Sequence, residues 1–206
     1  MIDLLPPGVA PQGKRGIAFV VAGPSGAGKS SVIAALLARD PRLAFSVSAT
    51  TRPRRPDEVH GRDYYFVSEG EFDHLLATGA LLEWTTYQGH RYGTPRAEVV
   101  DRLEKGVDVV LNVEVRGARA LREARLGFPV VLIFLIPPSW EELVRRVRSR
   151  GTENEEALAE RLRIARAELQ HIPEFDYLVI NDELERAVER VAAIVQAERM
   201  RIVRCA

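Results

Sequence analysis

The chain has 206 residues, 46% of them hydrophobic and 28% charged, the balance of one globular α/β domain with small insertions rather than of several independent domains. Lysine plus arginine and aspartate plus glutamate stand at 29 each, so no overall field exists to gather nucleic acid or an anionic membrane, and neither is expected as a partner. The one cysteine, Cys205, has no partner for a disulfide or a thiolate metal site, and the longest apolar runs are too short to cross a bilayer, so a reducing, cytoplasmic setting is expected.

Residues 1–15, rich in proline and glycine, read as a flexible tail. Ile17 to Ala22 is a β-favouring run of the length of a buried parallel strand, and it ends in a glycine-rich loop that opens a helix from about Ser30 to Arg39. Further such strands are Val107 to Val115, Val130 to Ile136 and Tyr177 to Ile180, with helical periodicity between them. The alternation predicts a three-layer α/β fold with a mostly parallel sheet covered on both faces.

Two stretches depart from the alternation. Residues 50–95 are rich in arginine, aromatics and glycine, and read as a small insertion with short strands around Tyr64 to Val67 and a helix near Ser68 to Thr78. Residues 139–169 read as two charged helices meeting at Gly151, their starts marked by the capping boxes Ser139-Trp-Glu-Glu142 and Thr152-Glu-Asn-Glu155. The core is then left to 16–49, 96–138 and 170–206. Inserted elements hinged at glycine and proline are candidates for moving parts.

Gly23-Pro24-Ser25-Gly26-Ala27-Gly28-Lys29-Ser30, followed by Ser31, fits the phosphate-binding loop pattern, and it has the required strand before and helix after. Glycines let successive backbone N–H groups turn inward as an anion nest at a helix N-terminus. Lys29 can reach the β- and γ-phosphates of a nucleotide, and the Ser30 hydroxyl can ligate magnesium. The loop by itself leaves the acceptor open among GTPases, ATPases, transporter motors and small-molecule kinases.

Further ordered segments narrow the choice: Phe45-Ser-Val-Ser-Ala-Thr-Thr-Arg52, Glu58-Val-His-Gly-Arg-Asp-Tyr64, Leu82-Glu-Trp84, Tyr92-Gly-Thr94, Pro137-Pro-Ser139, Arg150-Gly-Thr-Glu153 and Val179-Ile-Asn-Asp182. With the loop, they make the chain from about Arg15 to Asp182 resemble the guanylate kinase family of P-loop nucleoside monophosphate kinases. The resemblance implies transfer of the γ-phosphoryl of ATP to GMP, and to dGMP, with magnesium accompanying ATP. It implies that residues 50–95 bind GMP and that 139–169 form a lid. Arg52, Arg55, Tyr64 and Tyr92 match the residues that hold the GMP phosphate, a sensible set because guanidinium forks bind phosphate bidentately and phenols add neutral donors. Glu83 matches the carboxylate that faces guanine N1–H and N2–H, with Ser48 and Thr94 supplying hydroxyls. Arg146, Arg150 and Arg161 match the lid arginines, which with Lys29 and Arg52 make the catalytic set, and Asn181 matches the residue that helps seat the ATP base.

The chain departs from the family pattern at Asn112-Val-Glu114, where two aspartates are usual in the GMP site and near the metal. The resemblance implies that both belong to the GMP site: Asn112 can still accept from a guanine N–H through its carbonyl but lacks the charge, and Glu114, longer by a methylene, needs a shifted backbone or a bridging water to reach magnesium. Pro56-Asp57 precedes Glu58 where glycine is common, which is expected to stiffen the loop carrying Arg55. Two other readings compete: a non-catalytic guanylate-kinase-like binding module, which would not need an intact Gly28-Lys29-Ser30, and a P-loop kinase for a phosphorylated sugar, which would not need Ser48, Glu83 and Thr94. None of the histidines at 60, 74, 90 and 171 has metal-ligand spacing.

Overall fold

A computed structural model describes residues 9–11, 15–124, 126–149 and 155–204. The expected strands are β2 (Ala18–Ala22), β8 (Asp108–Asn112), β9 (Val130–Ile136) and β10 (Tyr177–Ile180), and β3 (Leu43–Phe45) adds an edge that the sequence reading did not include. These five form a parallel sheet in the order β10-β9-β2-β8-β3. Side chains alternate across it. From β2, Phe19 and Val21 join Val32, Ile33 and Leu36 of α1 (Lys29–Arg39) and Val188, Val191 and Val195 of α7 (Leu184–Arg199) in one core layer. Ala18, Val20 and Ala22 face the other way, onto Val99 and Leu103 of α3 (Arg96–Glu104) and Ala118 and Leu121 of α4 (Val115–Glu123). Helices thus cover both faces, as a buried parallel sheet requires.

The strand expected over Val107 to Val115 is shorter than its apolar pattern. Pairing stops at Asn112, Glu114 takes the extended N-cap conformation at φ −75° and ψ 160°, and Val115 is already the first residue of α4. Val113 and Val115 continue the β-like composition, but Val113 sits between the strand and the helix, and Val115 buries against the sheet from the helix.

Residues 50–95 build most of a second sheet in the order β5-β4-β7-β6, from β4 (Ala49–Thr50), β5 (Tyr65–Phe66), β6 (Leu81–Tyr87) and β7 (His90–Pro95). The β6–β7 hairpin turns through Gln88 and Gly89, both at positive φ (49° and 78°), the handedness that matches the twist of two-residue hairpins. α2 (Glu69–Ala77) starts with a full capping box, Ser68 Oγ accepting from Glu71 N–H while the Glu71 carboxylate accepts from Ser68 N–H. Its Phe72 is buried under the hairpin, where Trp84 meets it edge-on at 6.4 Å.

The helix pair is α5 (Trp140–Arg148) and α6 (Glu155–Leu169), which meet through Leu143, Val147, Leu158 and Ala165. Only half of the first expected capping box forms. Ser139 Oγ accepts from Glu142 N–H at 3.2 Å, but the Glu142 carboxylate is taken by Arg145 and Arg146 and does not return to the cap. The second box, Gly151 and Arg150 lie outside the described residues, as does Cys205. A single 3-10 turn, Ile172–Glu174, leads into β10. Within the stretch read as a flexible tail, Val9–Pro11 forms β1 and pairs antiparallel with β11 (Ile202–Arg204), which supplies its backbone partners; residues 1–8 and 12–14 are outside the described set.

Candidate active site

The loop between β2 and α1 stands at the carboxyl end of the parallel sheet, where strands deliver ligand-binding turns. Gly28 is the N-cap of α1 at φ 90°, and a Cβ there would run into the Asn181 amide. Asn181, buried at the end of β10, donates from Nδ2 to Ala27 O at 2.7 Å, so its side chain braces the loop from behind. Arg146 donates to Asn181 O at 3.0 Å and pairs with Glu142, which ties α5 to the same brace. Lys29 Nζ donates back to Gly23 O. Arg161 is buried on α6 and donates to Ser25 Oγ at 2.7 Å. Of the other arginines on this pair, Arg145 and Arg163 are spent on neighbouring glutamates and Arg166 stacks on Trp140, as a solvated basic face would have it.

Across from the loop, a cavity of about 690 Å³ runs to the face of the second sheet. Ser25, Gly28, Lys29 and Ser30 line one side; Ser48, Arg52, Arg55, Tyr64, Glu83, Tyr92 and Glu114 line the other. Arg52 pairs with Glu58 at 2.6 Å and lies over the rings of Tyr64 and Phe66. Burial pushes the Glu58 carboxyl up, but the Arg52 hydrogen bond and the Arg55 N–H outweigh it and leave Glu58 below its ordinary value. Pro56 sits in a turn closed by Glu58 N–H to Arg55 O and by Arg55 N–H to Glu58 Oε2 at 2.9 Å. Burial, with Tyr92 and Glu114 nearby, lifts the Tyr64 phenol to about 12, which keeps its O–H as a donor.

Glu83 is buried in β6, its Oε1 accepting from Thr94 Oγ1 at 2.5 Å across the hairpin. Its carboxylate lies against Gly117 of α4, where any Cβ would collide with it. Burial raises the carboxyl to about 7, the Thr94 hydrogen bond working against the shift and the charge of Glu114 adding to it. This is a neutral-pH titrating acid enclosed beside hydroxyl donors, a rare and costly arrangement unless a ligand uses it.

A sequence profile described as guanylate kinase matches residues 15–198. A guanylate kinase of Rhizobium meliloti (strain 1021) is 48% identical over 188 residues, covering 91% of this chain and 85% of the relative. The chain belongs to the guanylate kinase family. A second relative, the guanylate kinase of Caldanaerobacter subterraneus subsp. tengcongensis, is 45% identical over 192 residues, covering 93% and 92% of the two chains. The crystal structure of guanylate kinase from Anaplasma phagocytophilum superposes with a TM-score of 0.77 at 34% identity, over 93% of this chain and 90% of that one.

Within this guanylate kinase fold, the two departures from the family pattern fall on opposite sides of the cavity. Asn112 ends β8 with its amide 3.4 Å from Ser30 Oγ, on the loop side. Glu114 caps α4 and is hydrogen-bonded to Glu168 of α6, whose carboxyl is raised by burial and then by the Glu114 charge, with Lys29 pulling the other way. Sequence reasoning did not single out Glu168, although Arg161, Ala165 and Glu168 recur at helical spacing on one face and could have pointed to it. It also passed over Thr85 and Tyr87, which share the face of β6 with Glu83.

Proposed function

We propose that the chain transfers the γ-phosphoryl of ATP to GMP, and to dGMP, giving ADP and the nucleoside diphosphate. The observation that carries the reading is a phosphate loop with Lys29 and a buried, neutral-pH carboxylate, Glu83, lining one cavity. An ionised Glu83 accepts from guanine N1–H and N2–H, with Ser48 and Thr94 orienting the ring edge; adenine would set a lone pair against it and leave a buried acid unmatched, at a cost of about 1–3 kcal/mol. Arg52, Arg55, Tyr64 and Tyr92 take the GMP phosphate, and the Glu58 ion pair holds Arg52 ready for it. The loop N–H groups and Lys29 take the β- and γ-phosphates of ATP. Arg146, Arg150 and Arg161 add charge where the phosphoryl group passes.

The GMP phosphate oxygen is already a nucleophile, so no base is required; alignment and exclusion of water carry the rate. Residues 50–95 serve as the GMP-binding insertion and 139–169 as a lid that closes over the donor. Asn181 acts on ATP through the loop it braces. The Ser30 hydroxyl at the loop fits magnesium, which keeps most of its waters and asks for few protein ligands: Ser30 would hold it, with Glu114 behind a water. When bound it neutralises charge on the β- and γ-phosphates. Among the described residues no helix is long and apolar enough to cross a membrane, which agrees with a cytoplasmic enzyme of purine nucleotide metabolism.

A coupled assay of ADP formation with MgATP and GMP, dGMP, AMP, CMP or UMP tests the reading. Turnover is expected with GMP, less with dGMP, and near none with the others. GMP binding without phosphorylation of any nucleotide would replace the enzyme with a binding module.

A further inference from the structure

The second sheet joins the core at two crossings. At the first, Ser46 N–H still donates to Val110 O of the parallel sheet, whereas Ser48 O already accepts from Tyr65 N–H of the second sheet, which leaves Val47 as the pivot. The other crossing is the junction of β7 with α3, and Val99 and Leu103 lock α3 to the core. Beside these crossings runs a chain of side-chain bonds that the ATP:GMP reading does not use. Tyr65 Oη donates to Glu98 Oε1 at 2.7 Å, and Arg102 donates to Glu98 Oε2 at 2.7 Å. The same Arg102 nitrogen reaches Phe45 O, at the end of β3, at 2.8 Å.

The side of the sheet on which this chain lies decides what it does. Over residues 64–66 the side chains alternate: Tyr64 and Phe66 lie under Arg52 on the cavity side, and Tyr65 points to the opposite face. Tyr64 lines the cavity, whereas Tyr65, Glu98 and Arg102 do not. Transfer requires the GMP phosphate on the second sheet to come within in-line reach of the ATP phosphates on the loop, so the two walls of the cavity have to approach. Turning the second sheet toward the loop about the crossings opens its rear face and draws Tyr65 away from Glu98. Glu98 keeps Arg102 when that bond breaks, and Tyr65 and Glu98 are both only half-buried, so release strands no buried charge.

We propose that Tyr65 and Glu98 form a strap behind the GMP-binding sheet, which holds it away from the phosphate loop until GMP draws it in and so sets the affinity for GMP from outside the site. The inference rests on the ATP:GMP reading and adds to it a conformational cost that binding has to meet. Affinity for a ligand held by the closed arrangement is reduced by the fraction of molecules still strapped open.

Tyr65→Phe is the test, because it deletes the bond and keeps the ring, with its edge contact to His60 at 5.7 Å. Calorimetric binding of GMP and of MgADP is measured beside thermal unfolding of the nucleotide-free protein. The variant is expected to bind GMP about tenfold more tightly, the worth of one phenol–carboxylate hydrogen bond, to bind MgADP as the wild type does, and to melt no higher than the wild type. Glu98→Gln, which still accepts from the phenol but without the charge, should gain less, and adding it to Tyr65→Phe should bring nothing further. A contact that merely supports the fold lowers stability and affinity together, so the proposal is overturned if Tyr65→Phe binds GMP no better than the wild type, or if MgADP tightens by the same factor. A wild-type protein that fails to bind GMP sinks the parent reading; wild-type binding with no gain in the variant sinks the strap alone.

Discussion

Acidifying the solution from pH 8 to pH 6 is expected to weaken GMP through one group, Glu83. Its carboxyl is lifted to about 7 by burial in β6, so about nine-tenths of empty sites are ionised at pH 8 and about one-tenth at pH 6. Only the ionised form accepts from both guanine donors, which predicts an approximately tenfold rise in Kd for GMP across that interval. The phosphate of GMP titrates near pH 6 as well, so Glu83→Gln serves as the reference: it keeps the phosphate effect and lacks the carboxyl step. The same burial acts on stability. A carboxyl whose folded value lies above its unfolded 4.5 stabilises the fold where it is protonated, below 4.5, and that contribution is lost as pH rises through about 7. The gap between about 7 and 4.5 is worth about 3 kcal/mol. Glu83→Gln should therefore bind GMP worse yet exceed the wild type by up to about 3 kcal/mol in urea unfolding at pH 8, the difference closing toward pH 4.5. A wild-type to variant ratio of GMP affinity that stays flat from pH 6 to pH 8 would refute the ionised carboxylate as guanine reader.

Removing the loop cation with Lys29→Ala should cut kcat by about 10² to 10³ while GMP affinity stays within about twofold, checked by steady-state kinetics and calorimetry. Gly117→Ala pushes a methyl group into the Glu83 carboxylate but improves helix propensity, so kcat/KM for GMP should drop about tenfold without loss of thermal stability. Arg199→Met strips a shared partner from Asp40 and Asp108, which both pair with it at the base of the sheet, and should cost about 3 kcal/mol of unfolding free energy. Hydrogen bonds from Arg42, and then Arg199, prevail over burial and hold the Asp40 carboxyl far below its usual range. Its share of stability is thus present above about pH 4 and fades as pH falls toward the folded value, and the deficit of the variant should narrow in acid.

What the sequence revealed depended on how locally each feature is encoded. The four long parallel strands announce themselves because both faces are apolar, and the loop because glycine, lysine and serine have fixed offsets. β3 is three residues long, too short for any periodicity to show, so nothing in Leu43–Phe45 marks it. The β6–β7 hairpin escaped notice because its turn is Gln-Gly, with a glutamine at φ 49° where asparagine or glycine is the usual signal. That oversight also hid why Glu83 is buried: its inward direction follows only once strand alternation applies. Val113 and Val115 misled in the opposite sense, since β-branched composition cannot tell the end of a strand from a buried helix start. Resemblance supplied the individual site residues as expectations, but the proximity of Ser25, Tyr87, Arg161, Glu114 and Glu168 joins four separate segments and has no local signature.

The end of β8 has a consequence for redesign. Asn112 touches the phosphate loop at Ser30, the charge of Glu114 two residues on helps raise the Glu83 carboxyl, and Gly117 one turn later sets how near that carboxyl can lie. Six consecutive residues thus feed both halves of the cavity through a single rigid stretch of backbone. An attempt to retune the chain for another nucleobase by changing this stretch would alter its use of the phosphate donor at the same time.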